Sequence, residues 1–298
     1  MDAPGAYATA GAFRRALEER LKRISQAEQM DVNRLRRQVS FDRLLARLFR
    51  VEPAPWALKG GYALELRFKT ARSTIDIDLS LQTVVAATDQ ADASRKVREM
   101  LQGAASISLG DWFEYTIGLP VMDLEAAPYG GARYPVEVRM DGRVFSRFHL
   151  DAGSGDAVME PLETIQCREW LEFAGIKSPQ VRMIPREQQF AEKLHAYTLP
   201  RSSANSRVKD LVDLALLVES GELTTERIQE AVRLTFQRRA THELPSVLLP
   251  PPADWRRRFE ALAEECKLPK AMDAVFDRVR AYVEAVTRST TKILPPVP

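Results

Sequence analysis

Long apolar runs are missing from this chain. No stretch approaches the roughly 18 uncharged apolar residues that a membrane-crossing helix needs, so no membrane partner is expected. Cysteine is scarce: Cys167 and Cys266 are too few for a disulfide framework, in keeping with a reducing compartment. The opening stretch MDAPGAYATAGAFRR has no cationic segment ahead of an apolar one and does not read as a secretory leader. Together these features point to a cytoplasmic protein. Histidine is scarce too. His149, His195 and His242 do not have metal-ligand spacing, and no serine or cysteine sits in a nucleophile elbow.

An excess of one charge is also lacking, since 43 basic against 41 acidic residues leave +2. With 45% hydrophobic and 28% charged residues the composition is that of an ordinary globular protein. The 298 residues suffice for one elaborated domain or two, with a core that needs no metal or disulfide staple. The charge is uneven, however. Arg14, Arg15, Arg20, Lys22, Arg23, Arg34, Arg36, Arg37, Arg43, Arg47 and Arg50 face only Glu18, Glu19, Glu28, Asp31 and Asp42 over the same stretch. Such an excess on helices suits a phosphate backbone, and a solvated helix face explains it equally well.

Phe13, Leu17, Leu21 and Ile24 recur at helical spacing and predict a helix over about 11–28. Leu35, Val39, Leu44, Leu45 and Leu48 predict another over 32–50, ended by Pro53 and Pro55. Trp56–Leu58 is a short strand candidate, and a helix over Tyr62–Phe68 opens just after Gly60-Gly61. Ile75 to Leu81 alternates with period two, the mark of a half-buried strand. A helix near 89–103 precedes a β-rich stretch over 112–151: Phe113–Ile117, Tyr134–Arg139, the Asp141-Gly142 turn, then Val144–Asp151. Ala152–Gly155 should close the sheet. Beyond about 160 the pattern is helical, at 186–198, 207–219, 225–237 and 254–287, with a Pro250–Pro252 linker and a frayed tail at 294–298. The expected organisation is basic N-terminal helices over 1–50, a mixed α/β core over 51–165, and a helical region over 166–298 that contributes to the active site.

The segment richest in chemistry is Leu58-Lys59-Gly60-Gly61, followed fifteen residues after Gly61 by Asp76-Ile77-Asp78. Aspartates at i and i+2 of a strand share one side of the sheet. Paired carboxylates repel unless a cation separates them, and magnesium, which draws its other ligands from water and phosphates, suits the pair. Gly-Gly lets backbone approach a ligand, and the helix after it offers free N–H groups to phosphate oxygens. Asp151, at the end of a strand, is the candidate for a third metal carboxylate, with Glu137 the runner-up. Farther on, Lys193 lies on one helix while Arg207, Asp210 and Asp213 share a face of the next. Those four groups suit either an interhelical ion-pair network or a cation offered to a triphosphate.

Four segments, Lys59-Gly60-Gly61-Tyr62-Ala63-Leu64, Arg72-x-Thr74-x-Asp76-x-Asp78, Lys193-Leu194-His195-Ala196 and Arg207-x-x-Asp210-Leu211-x-Asp213, together resemble the AbiEii/AbiGii family of nucleotidyltransferase-like toxins. The order of the four is that of the family, and the resemblance runs over about 58–217. It implies an α+β fold: a polymerase-β-like nucleotidyltransferase core, a mixed sheet with helices, plus a helical C-terminal region. It also implies a magnesium-dependent toxin that transfers a nucleoside monophosphate from an NTP to an RNA 3′ end, with tRNA the acceptor, often encoded beside an antitoxin. Asp76, Asp78, Lys193 and Asp213 are then the catalytic positions, with Asp76 and Asp78 on the metal. Lys59, Gly60, Gly61, Arg72 and Arg207 are then the nucleotide-binding ones. Two residues depart from the family pattern: Tyr62 stands where a small hydroxyl residue is usual, and Ile75 where a polar one is common. The competing expectations are transfer to a small hydroxylated acceptor, as in aminoglycoside modification, and a nucleotide- or RNA-binding module without catalysis.

Overall fold

The computed structural model describes residues 7–124, 127–200 and 207–290. The proline-rich tail at 294–298 lies outside the described residues. The chain divides into two compact units, the first from Met1–Leu66, Ser73–Gly155 and Glu163–Met183, the second from Arg67–Arg72, Asp156–Leu162 and Ile184–Pro298.

In chain order, the first unit holds α1 (Ala10–Glu28), α2 (Val32–Leu48), β1 (Trp56–Lys59), α3 (Gly60–Arg67), β2 (Asp76–Leu81) and α4 (Gln90–Ala105). There follow β3 (Glu114–Ile117), β4 (Met122–Asp123), β5 (Gly131–Met140), β6 (Arg143–Ser154), β7 (Glu163–Gln166) and β8 (Gln180–Met183). The strands form one mixed sheet in the order β3-β5-β6-β2-β1-β8-β7, with β4 also on β5. β2 runs antiparallel to β1 and parallel to β6, and β5 and β6 make a long antiparallel hairpin. The Asp141-Gly142 turn that closes this hairpin has both residues at positive φ, as a two-residue hairpin turn requires.

Both N-terminal helices start as capped amphipathic helices. Thr9 accepts from the Ala12 N–H, and Asp31 from the Arg34 N–H. Their apolar faces, Phe13, Leu17 and Leu21 on one and Leu35, Val39, Leu44, Leu45 and Leu48 on the other, are buried in the same core as the sheet residues Leu58, Ile77, Leu79, Val136 and Leu150. No boundary therefore falls at residue 50, because the apolar stripe of each helix needs the sheet to cover it. The sheet also continues past residue 160. Ala152–Ser154 extend β6, and β7 and β8 form an antiparallel pair whose second strand lies parallel to β1. Four-residue strands of mixed polarity leave little periodicity to read in a sequence.

Much of the N-terminal basic excess is structural. Arg14 donates to the carbonyls of Met140, Arg143 and Val144, which fastens α1 to the β5–β6 hairpin. Arg36 pairs with Glu18 at 2.6 Å and Arg34 with Glu65 at 3.1 Å. Arg43 and Arg47 converge on the buried Asp111, at 2.7 and 2.6 Å. Burial alone raises the Asp111 pKa, but the two guanidiniums outweigh it and hold the carboxyl below its usual range.

The second unit contains α5 (Arg186–Thr198), α6 (Val208–Glu219), α7 (Thr225–Arg239), α8 (Arg256–Glu265) and α9 (Met272–Thr290). The single helix expected over 254–287 is instead two. The chain leaves α8 through Lys267 at φ 57° and reaches Pro269, whose ring and missing N–H prevent continuation. His195 of α5 lies in a polar nest at the end of α7, sharing a hydrogen bond with the Thr241 hydroxyl at 2.9 Å, its ring tilted by 51° and 4.6 Å from that of His242. Burial first, then the charge of Arg239 and the neighbouring His242, pushes its pKa down to about 3.

Two outcomes follow for stability. Asp111→Asn leaves two buried guanidiniums without their counter-ion and should cost about 3–5 kcal/mol in a denaturant titration. For His195 the folded pKa lies below the ordinary 6.5, so the unfolded chain binds the proton more readily. The stability contributed by the neutral ring is fully present above about pH 6.5 and lost as pH falls toward 3. Melting temperature should therefore drop across that window, and His195→Gln should flatten the drop.

Candidate active site

Ile77 and Leu79 of β2 point into the core with no exposure, so the alternating Asp76 and Asp78 emerge together on the other side of the sheet. In register, Lys59 on β1 faces Asp78. On the opposite flank, β6 sets His149 against Asp76 and Asp151 against Asp78. One sheet face thus collects Asp76, Asp78, His149 and Asp151, and Arg133 joins them from β5 opposite Asp151.

The glycines are required by this crowding. Gly60 turns the chain from β1 into α3 at φ +68°, and a Cβ there would overlap the Asp78 carboxylate. A Cβ on Gly61 would come within 2.7 Å of the Thr74 hydroxyl. The helix therefore begins at Gly60 itself, two residues before the expected start at Tyr62, with Gly60 against the Asp78 carboxylate. Glu65 of α3 reaches back to accept from the Thr74 backbone N–H at 2.5 Å and pairs with Arg34. That clamp ties the approach to β2 to the helix that follows β1. Burial raises the pKa of Glu65, offset in part by Arg34.

Tyr62 does not offer its hydroxyl to a ligand. Its ring is buried, and its hydroxyl donates to Asp42 of α2 at 2.5 Å, while the Trp170 indole donates to the other Asp42 oxygen at 2.7 Å. Burial pushes the Asp42 carboxyl up to about 6 despite these donors. The departure from the small hydroxyl residue thus anchors the first turn of α3 from the core side. Asp42, Glu65 and Arg133 are site residues that sequence reasoning missed. A lone acid within an apolar helix face was the one available signal, at Asp42.

The carboxylates differ in what they hold. Asp151 is gripped by both prongs of Arg133, each bond 2.7 Å, and the same guanidinium stands 3.4 Å from Asp76 Oδ2. Asp76 Oδ1 is enclosed and accepts no hydrogen bond, with His149 Nδ1 3.5 Å away. Glu137, the alternative third carboxylate, is pulled into surface ion pairs with Arg147 at 2.6 Å and Arg139 at 2.7 Å. Those partners lower its pKa. Among the described residues no group of three or more acids, histidines or cysteines is gathered as a metal site. The orphaned oxygen of Asp76 and the all-oxygen donor pair nonetheless suit a hard divalent cation held by Asp76 and Asp78. A cavity of about 650 Å³ opens beside Asp76, lined by Arg37, Thr116, Glu137, Arg147 and His149 among others.

In the second unit, the C-terminal motifs form one buried charge network. Lys193 Nζ lies 2.8 Å from Asp213 and 3.1 Å from Asp210, and Arg72 binds Asp213 through two bonds of 2.8 and 2.7 Å. Arg207 stands 3.5 Å from Asp210. Asp213 has no exposed surface. Burial raises its pKa, but Lys193 and Arg72 more than reverse this and hold it ionised. Burial lowers the Lys193 pKa, yet Asp213 and Asp210 outweigh it, so the ammonium stays charged. The charged stripe of α6 forms interhelical ion pairs with Lys193, and Asp210 and Asp213 are buried together with Leu211, Leu214 and Leu217.

A nucleotidyltransferase AbiEii toxin profile, of a type IV toxin–antitoxin system, matches residues 43–285. The chain belongs to the AbiEii family. It is a nucleotidyltransferase toxin of a toxin–antitoxin system, as the four motifs imply. No curated protein matches it in sequence. Among solved structures it is similar to MenT4, a nucleotidyltransferase toxin from Mycobacterium tuberculosis H37Rv, at 15% identity and TM-score 0.54. That match covers 93% of this chain and 99% of the other. JHP933 from Helicobacter pylori also matches, at 15% identity and TM-score 0.46, over 87% of this chain and 97% of that one. The MenT4 likeness shows that the α+β architecture is one that a nucleotidyltransferase toxin also uses. Neither comparison names an acceptor for this AbiEii chain.

Gly60→Ala should leave helix and strand content intact by circular dichroism. It should displace the Asp78 carboxylate, by the overlap a Cβ makes there, and lower turnover of nucleoside triphosphate on the order of 100-fold.

Proposed function

We propose that this toxin transfers a nucleoside monophosphate from a nucleoside triphosphate to the 3′ end of an RNA, with tRNA the acceptor, and thereby blocks translation. The observation that carries the reading is the orphaned, enclosed oxygen of Asp76 beside Asp78, next to the Gly60-Gly61 helix start. Asp76 and Asp78 hold Mg²⁺, which when bound neutralises charge on the phosphates and leaving group. Gly60 and Gly61 bring backbone N–H groups to the phosphates, and Lys59 lies at the same strand end. Lys193, kept charged by its two carboxylate partners, supplies a cation toward the triphosphate. Asp213 holds Lys193 and Arg72 in place, and Arg207 adds a further positive charge beside Asp210.

The acceptor's sugar-phosphate end is assigned to the cavity beside Asp76, where Arg37, Arg147 and His149 meet a polynucleotide's charge. Of the basic helices, Arg15, Lys22 and Arg23 are exposed on α1 and remain for the RNA backbone. A cognate antitoxin is the further partner that the family implies. Transfer to a small hydroxylated molecule is the second reading, and the size of the cavity favours it, since pockets for small ligands span about 300–1,000 Å³.

The test combines purified protein, total RNA, Mg²⁺ and each labelled nucleoside triphosphate in turn. Label should enter a tRNA-sized band, and Asp76→Ala should reduce it by roughly 100-fold or more. Label that enters small hydroxylated acceptors but no RNA would establish the second reading. Nucleotide that binds without pyrophosphate release over any acceptor would mark a binding module.

A further inference from the structure

We infer that Arg133 occupies the β6 side of the carboxylate pair in place of a second metal ion, so that this toxin works with a single divalent cation. The inference rests on the nucleotide–metal reading above. In two-ion sites a third carboxylate joins the strand pair to hold the second cation. Here the residue in register for that role is Asp151, opposite Asp78 on the neighbouring parallel strand. Both of its oxygens are already taken by Arg133, each bond 2.7 Å long.

The position of the guanidinium is fixed by the sheet. Arg133 on β5 is the antiparallel partner of Asp151 on β6, and Asp151 is the parallel partner of Asp78 on β2. From two strands away its Nη2 also reaches to 3.4 Å from Asp76 Oδ2. An ion bridging Asp76 and Asp151 would lie against this group. A guanidinium keeps its charge in a protein and cannot step aside by losing its proton.

Charge and lone pairs agree with this count. Arg133 on Asp76 and Asp151, with Lys59 facing Asp78, already supplies positive charge to the three aspartates, which leaves less for cations to neutralise. Arg133 approaches the Oδ2 of Asp76, whereas the oxygen with no hydrogen bond is Oδ1. On Asp76 the open position is therefore the oxygen that the arginine does not use.

The full-length chain can be dialysed to equilibrium against Mn²⁺ and the α,β-methylene analogues of the four nucleoside triphosphates, counting ions per bound nucleotide. The wild type should retain one Mn²⁺ per nucleotide and Asp151→Asn also one, while Arg133→Gln, with Asp151 released, should retain two. Two ions per nucleotide in the wild type, or one in a folded Arg133→Gln, would overturn the inference and leave the nucleotide site standing. Should Arg133→Gln not fold, the wild-type and Asp151→Asn counts still decide, because a second ion held by Asp151 would be lost in that variant. No retained nucleotide in any form would instead sink the nucleotide–metal reading and this inference with it.

Discussion

Two carboxylates on one face of β2 are the constraint around which the first unit is arranged. Asp76 and Asp78 cannot stand side by side in a half-buried site without positive charge or hydrogen-bond donors nearby. Each surrounding feature answers that demand. The Gly60 turn admits the Asp78 carboxylate against the start of α3. Arg133 offsets Asp76 and Asp151 from the far flank. The Glu65 clamp on Thr74 and the Tyr62–Asp42 bond then hold strand and helix in register behind the site.

The same economy of charge recurs away from β2. Two arginines close on Asp111, and Arg72 with Lys193 closes on Asp213, in each case two cations on one carboxylate with little or no exposure. Such groups are retained in the buried interior only when paired and hydrogen-bonded. They also account for why a basic N-terminal stretch carries less nucleic-acid footprint than its composition suggests. Arg14 fastens α1 to the β5–β6 hairpin, Arg34 and Arg36 tie helices to one another, and Arg43 and Arg47 close on Asp111, while Arg15, Lys22 and Arg23 stay exposed on α1.

Unpaired groups mark where ligands are due. The free Oδ1 of Asp76 stands at the rim of a cavity that also exposes His149 and Arg147, two residues of β6 that no short motif singles out. In-line transfer needs the attacking hydroxyl and the leaving group on opposite sides of the phosphorus. β1 and β6 lie on opposite sides of β2, and the Gly60 turn is on the β1 flank.

Local pattern alone determined the two N-terminal helices, the Asp-x-Asp strand, the Asp141-Gly142 hairpin and the glycine-to-helix junction, because periodicity and turn chemistry are encoded within a few residues. The four motifs likewise determined the family. Only the tertiary structure decided that β7 and β8 extend the sheet past residue 160, since short edge strands gain their stability from neighbours far away in the chain. Only it decided that Tyr62 turns to the core, that Asp213 stands between Arg72 and Lys193, and that Arg133 takes both oxygens of Asp151. Those partners are separated by between about 18 and 141 residues along the chain. Which carboxylate is paired and which is left open depends on strand register and burial, and neither is written in the spacing of any motif.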